Sequence, residues 1–118
     1  MRQAQRQVFE VSDDSGSYAD QVLYLKMIDR DSPKGSLDFV KELTVDVEDL
    51  ASGAEIEIDL LRAGGDPRES GDWNTARVTY DSTGLKDPIF LSEWYGVRIR
   101  AVSGGTEGDC IINVAWVA

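Results

Sequence analysis

The closing stretch WYGVRIRAVSGGTEGDCIINVAWVA, Trp94 to Ala118, constrains the fold more than any other part of the chain. Val97, Ile99 and Ala101 fall on one side of an extended backbone and Arg98, Arg100 and Val102 on the other, because successive strand side chains point to opposite faces. SGGTEGD is rich in turn-forming residues, and CIINVAWV then resumes a strand with Cys110, Ile112, Val114 and Trp116 in phase. The pattern predicts a β-hairpin that closes an all-β protein.

The rest of the chain has the same character. AEIEIDLLR alternates cleanly, with Ile56, Ile58 and Leu60 against Glu55, Glu57 and Asp59. LDFVKELTVDVEDL reads in two ways. Leu37, Val40, Leu43 or Thr44, Val47 and Leu50 would line a helix capped by Ser36, whereas Leu43, Val45 and Val47 would line a strand with Thr44, Asp46 and Glu48 outward. The β-branched residues of TVDV favour the strand. QVLYLKMID is apolar on both phases, which predicts a central strand or one covered by a neighbouring subunit. Val8 to Val11, WNTARVTY and PIFL complete a set of about seven to eight short strands separated by turn signals. That spacing predicts an antiparallel β-sandwich, jelly-roll or Ig-like. MRQAQRQ offers only Met1 and Ala4 for burial, so an extended N-terminal arm is expected over residues 1–8, ahead of a single sandwich domain over 9–118.

Composition narrows the function classes. A hydrophobic content of 42% argues for a packed core despite a net charge of −10. No apolar run suits a membrane span, and the start lacks the apolar segment of a secretory signal, so no membrane partner is expected. The chain has no histidine, which removes histidine triads, bases and metal ligands. Phosphate-loop and nucleophile-elbow patterns are missing, and an enzyme is not expected. Cys110 stands alone, read as a small buried residue of the last strand. A pI near 4.3 argues against a nucleic-acid partner. DDSGSYAD and GDPRESGD gather carboxylates in loops where calcium could bind, but such residues also serve as ordinary turn formers. No cofactor or metal is expected.

Three sets of residues remain as candidate contacts. Glu42 to Asp59 holds seven acids and no base. Asp46, Glu48, Glu55, Glu57 and Asp59 are therefore expected to form an acidic strand face, either a solvated surface or a dock for a basic partner. Arg2, Arg6 and Val8 would give the arm its attachment points. Trp73, Trp94 and Tyr95, at strand–loop junctions, would cap the sandwich, anchor a subunit interface or form a carbohydrate platform.

The order LLRAGG, SGDWNTARVTY, PIFL, WYGVRIRAVSGG and CIINVAWV resembles small β-sandwich accessory proteins of tailed-phage virions, namely capsid decoration (cement) proteins and head fibres. The likeness covers roughly residues 54–118 and lies in the cadence of strands and turns, so no individual contact residue carries over. It implies a non-enzymatic virion protein, assembled in the bacterial cytoplasm and seated on the major capsid protein or another virion protein. A homo-oligomer, with a trimer favoured, and attachment through a terminal arm are implied as well. The alternatives are a carbohydrate-binding or host-attachment module and a tail or head-completion component.

Overall fold

The computed structural model describes residues 2–10, 18, 21–25, 42–62, 64–91, 94–103 and 108–117. Nine strands appear among them: β1 Arg2–Phe9, β2 Val22–Leu25, β3 Glu42–Asp49, β4 Ala54–Arg62, β5 Trp73–Tyr80, β6 Gly84–Leu85, β7 Ile89–Phe90, β8 Trp94–Ser103 and β9 Cys110–Val117. They form two sheets. Sheet A runs β1-β9-β3-β6, with β7 also on β3, and sheet B runs β2-β8-β4-β5. All pairings are antiparallel, and the two sheets pack as a β-sandwich.

Alternation in the sequence sets the layer between the sheets. Leu43, Val45 and Val47 of β3 and Cys110, Ile112, Val114 and Trp116 of β9 meet Ile56, Ile58 and Leu60 of β4, Val97, Ile99 and Ala101 of β8, and Leu23 and Leu25 of β2. Removing such apolar surface from water is the main favourable term in folding. Segment 42–49 is a strand, as its β-branched residues suggest, and residues 37–41 lie outside the described set.

Three expectations are corrected. First, Trp94 to Ala118 is no hairpin: β8 lies in sheet B and β9 in sheet A, so the chain arches across the sandwich. The same holds for every strand-to-strand connection except β4–β5 and β6–β7. Alternation identifies strands but not their partners. Second, the extended arm expected over residues 1–8 is, from Arg2 on, part of sheet A, because β1 pairs with β9 along its whole length, from Arg2 opposite Val117 to Phe9 opposite Cys110. Its anchorage comes from the backbone ladder and from buried Phe9 rather than from a row of apolar side chains. Third, of the two readings of QVLYLKMID the central strand is set aside, because among the described residues β2 is an edge strand whose second apolar phase exposes Tyr24; the reading of a strand covered by a neighbouring subunit still stands, and residues 26–29 lie outside the described residues.

Tyr18 joins the opposite ends of the sequence. Its hydroxyl donates to the Gly108 carbonyl at 2.9 Å and accepts from the Cys110 thiol at 3.7 Å. Burial, with the Cys110 hydrogen bond next in weight, pushes the Tyr18 pKa up to about 12. Gly108 has φ +139, and a Cβ there would meet the Ala51 Cβ at 3.2 Å. Glycine suits this position on both grounds.

Ile58 has no exposed surface at the centre of this core. Ile58→Ala is expected to cost about 2–5 kcal/mol of unfolding free energy in a urea titration. Leu85→Ala, on an exposed side chain, is expected to change it by less than about 0.5 kcal/mol.

Candidate functional site

The two outer faces of the sandwich differ in chemistry. On sheet B, β4 turns Glu55, Glu57, Asp59 and Leu61 outward, and β8 turns Arg98 and Arg100 beside them. Glu57 pairs in register with Arg100, and Asp59 with Arg98. Arg98 Nε donates to Asp59 Oδ2 at 2.6 Å, Arg100 Nε to the same oxygen at 2.7 Å, and an Arg100 terminal nitrogen to Asp59 Oδ1 at 3.0 Å. That nitrogen also reaches Glu57 at 2.6 Å. Asp59 is 0% exposed. An unpaired charge so placed would be strongly destabilising, so both arginines are needed to hold it.

A backbone donor completes the shell. β5 carries extra residues between Asn74, opposite Leu60, and Val78, opposite Ile58. The bulge turns Ala76 to φ +53 and aims its N–H at Asp59 Oδ1, 2.7 Å away. Left-handed backbone costs a residue with a Cβ roughly 1–2 kcal/mol, and the Asp59 hydrogen bond offsets that cost. Burial on its own would raise the Asp59 pKa. The Arg100, Ala76 and Arg98 hydrogen bonds outweigh it and hold the carboxyl below its ordinary value.

Trp73 sits on the same face and is only 6% exposed. Its indole N–H donates to the Pro67 carbonyl at 2.9 Å, the Arg98 guanidinium lies 4.4 Å from its ring centroid, and the Tyr24 ring lies 6.3 Å away. Of the three readings of Trp73, its enclosure by Arg98 and the loop that precedes β5 suits a cap on the sandwich and not an exposed carbohydrate platform. Gly65 lets that loop approach, since a Cβ there would come within 3.0 Å of Leu61 Cδ1 and of the Arg62 carbonyl. Of GDPRESGD, Asp72 accepts from Arg62 at 2.5 Å and from the Asp66 N–H at 2.8 Å, and Asp66 accepts from the Arg68 N–H at 3.0 Å. The Asp66 and Asp72 carboxylates hold the turn itself. DDSGSYAD lies outside the described residues apart from Tyr18, and among the described residues no three acidic or cysteine ligands converge.

Sheet A presents a different surface. Ala4 of β1, Ala115 of β9 and Thr44 of β3 lie side by side across it, and the next row is Arg6, Asn113, Asp46 and Leu85. The small residues floor a shallow depression of about 430 Å³, with Arg6, Asp46 and Leu85 at its border. Leu85 is 74% exposed and Phe90, in register with Glu42 of β3, is 72% exposed. One polar cluster flanks the depression. Arg6 and Asn113 each donate to Glu48 at 3.1 Å, and these hydrogen bonds hold the Glu48 carboxyl below its ordinary range.

The expected single acidic face is thus divided. Asp46 and Glu48 lie on the outside of sheet A, while Glu55, Glu57 and Asp59 lie on the outside of sheet B. β3 and β4 follow each other in sequence but occupy different sheets, which alternation alone does not reveal. Arg6 reaches Glu48 within the same chain, and Val8 is half-buried on β1. The backbones of Arg2, Trp94 and Tyr95 belong to β1 and β8, but their side chains lie outside the described residues. Leu85, Phe90, Ala4, Thr44 and Ala115 are not among the contacts expected from the sequence. Two-residue strands give no alternation to read, and a small residue between two larger ones carries no signal of a floor.

No family model matches the sequence, and no curated protein is similar to it. Among solved structures, the chain is similar in fold to the SPBc2 prophage-derived protein YomS, with 15% identity, a TM-score of 0.53, and coverage of 100% of this chain and 96% of that one.

Two variants test the Asp59 cluster. Asp59→Asn is expected to cost roughly 2–4 kcal/mol at neutral pH, read by denaturant unfolding. The folded carboxyl is depressed, so its stabilisation is complete above the ordinary aspartate value of about 3.9 and is lost as pH falls through the lower folded value. The gap between wild type and Asp59→Asn should therefore narrow below about pH 4. Ala76→Gly, which keeps the N–H and relieves the positive φ, is expected to raise stability by up to about 1 kcal/mol.

Proposed function

We propose that the chain is a non-enzymatic structural protein of a phage virion that binds another protein of the particle through the outer face of sheet A. The observation that carries this reading is the pair of exposed side chains Leu85 and Phe90, beside a depression floored by Ala4, Thr44 and Ala115. Exposed apolar side chains around a shallow floor, with a polar cluster at the border, are the makings of a protein-binding surface. The fold shared with a prophage-derived protein supports the phage setting. In its finer form the reading is capsid decoration, with the major capsid protein as the partner and the virion as the location. The cross-strand Asp59 cluster supports a scaffolding role, because its carboxylate is committed to two arginines and a backbone N–H rather than held for chemistry.

Co-sedimentation with particles assembled from the neighbouring structural genes tests this reading. The wild-type chain is expected to pellet with them. Leu85→Ser combined with Phe90→Ser is expected to weaken binding by about tenfold or more while leaving the thermal midpoint within a few degrees. A wild-type chain that stays in the supernatant, or a double variant that binds undiminished, overturns the proposal.

A further inference from the structure

The free edge of β1 carries a second surface for assembly. Among the described residues, the sandwich edges are β1 and the β6 and β7 pieces in sheet A, and β2 and β5 in sheet B. β2 has 4 residues, β6 and β7 have 2 each, and β5 is bent by the bulge at Ala76. Short and bulged edges resist the addition of another strand. β1 differs from all of them. It runs for 8 residues, contains neither proline nor glycine, and pairs with β9 without a register shift. Its outer row of N–H and C=O groups is a template for a further strand.

The side-chain phases of β1 indicate what that strand is. Phe9 faces Cys110 and is fully buried. Gln7 and Gln5 follow on the same phase, opposite the core residues Ile112 and Val114, yet Gln7 is half-buried and Gln5 exposed. Amides thus occupy positions that continue the core phase, where an isolated sandwich would gain by apolar side chains.

We propose that two copies of this chain join antiparallel along β1, with the twofold axis at Gln5, so that their A sheets become one continuous sheet. This register sets Gln5 against Gln5, Gln7 against Gln3, Ala4 against Arg6 and Arg2 against Val8. Residues directly opposite share a face, so the core phases of both copies stay on the same side. The Gln5 amide supplies a donor and an acceptor, and the two Gln5 side chains that face each other at the axis satisfy each other. The neighbouring same-face registers are worse. An axis at Ala4 sets Arg2 against Arg6, and an axis at Arg6 sets that arginine against its own copy, both with like charges opposed. In the Gln5 register Arg6 meets a small Ala4 and remains paired with its own Glu48. β1 holds two arginines and no acid. Two chains of net charge −10 therefore meet at an edge where no acid faces another. The join also makes the small-residue floors of the two A sheets neighbours in one surface. The inference stands on the geometry of β1 and does not depend on the virion reading.

Sedimentation of the isolated full chain over a wide concentration range tests it, and a monomer there leaves the particle-binding proposal standing. A dimer is expected. Gln5→Glu, which opposes two carboxylates at the axis, is expected to raise the dimer dissociation constant about fivefold. Gln5→Cys is expected to give a covalent dimer under mild oxidation, because facing residues in an antiparallel pair lie about 4.5–5.5 Å apart, within disulfide reach. Arg6→Cys is expected to give little. Gln5 is exposed, so its variants keep the fold, checked by their thermal midpoints. A monomer, a trimer, or cross-linking that favours Arg6→Cys over Gln5→Cys overturns the proposal.

Discussion

Asp59 is the constraint on which the arrangement of sheet B depends. A carboxylate removed from water needs compensation in full, and here Arg98, Arg100 and the Ala76 N–H supply it. Each donor fixes a different part of the structure. The arginines lock β8 in register against β4, and the Ala76 N–H fixes the bulge that bends β5. Arg98 in turn covers the Trp73 ring, and Trp73 holds the preceding loop through Pro67. One buried charge therefore organises three strand positions and a loop, and the outer face of sheet B is largely occupied by its own groups.

Among the described residues, sheet A carries no such network across its middle. Its outer surface has Ala4, Thr44 and Ala115 at the centre, exposed Leu85 and Phe90 at one side, and the Arg6–Glu48–Asn113 cluster at its border. The contrast supports the proposed division of labour: sheet B secures the fold, and sheet A offers a surface and, among the described residues, an open edge. Leu85 and Phe90 come from pieces too short to stabilise a sheet by themselves. Their exposure is easier to understand as a contact surface than as part of the core.

The strands were legible in the sequence wherever one face is buried. Ile56-Ile58-Leu60, Val97-Ile99-Ala101 and Cys110-Ile112-Val114-Trp116 all point inward as their alternation requires. Partners were not legible, because a strand's phase says nothing about which neighbour accepts its hydrogen bonds. That is why Trp94 to Ala118 read as a hairpin and why the acids of β3 and β4 read as one face. The pairing of Glu57 and Asp59 with Arg100 and Arg98 was half-visible, as EIEID and VRIR carry opposite charges at matching spacing. β1 was the least legible element. Its glutamines give no hydrophobic pattern, so a strand held by its backbone ladder and Phe9 read as an arm.

On the proposed reading the two outer faces have different roles, one covered by its own side chains and one open to partners. Hydrogen exchange on the chain diluted until it is monomeric and in its assembled state measures this directly. Added protection is expected in β1, β6 and β7, with β5 and the loop before it unchanged. New protection centred on β5 and that loop, with β1 exchanging as before, would overturn the reading.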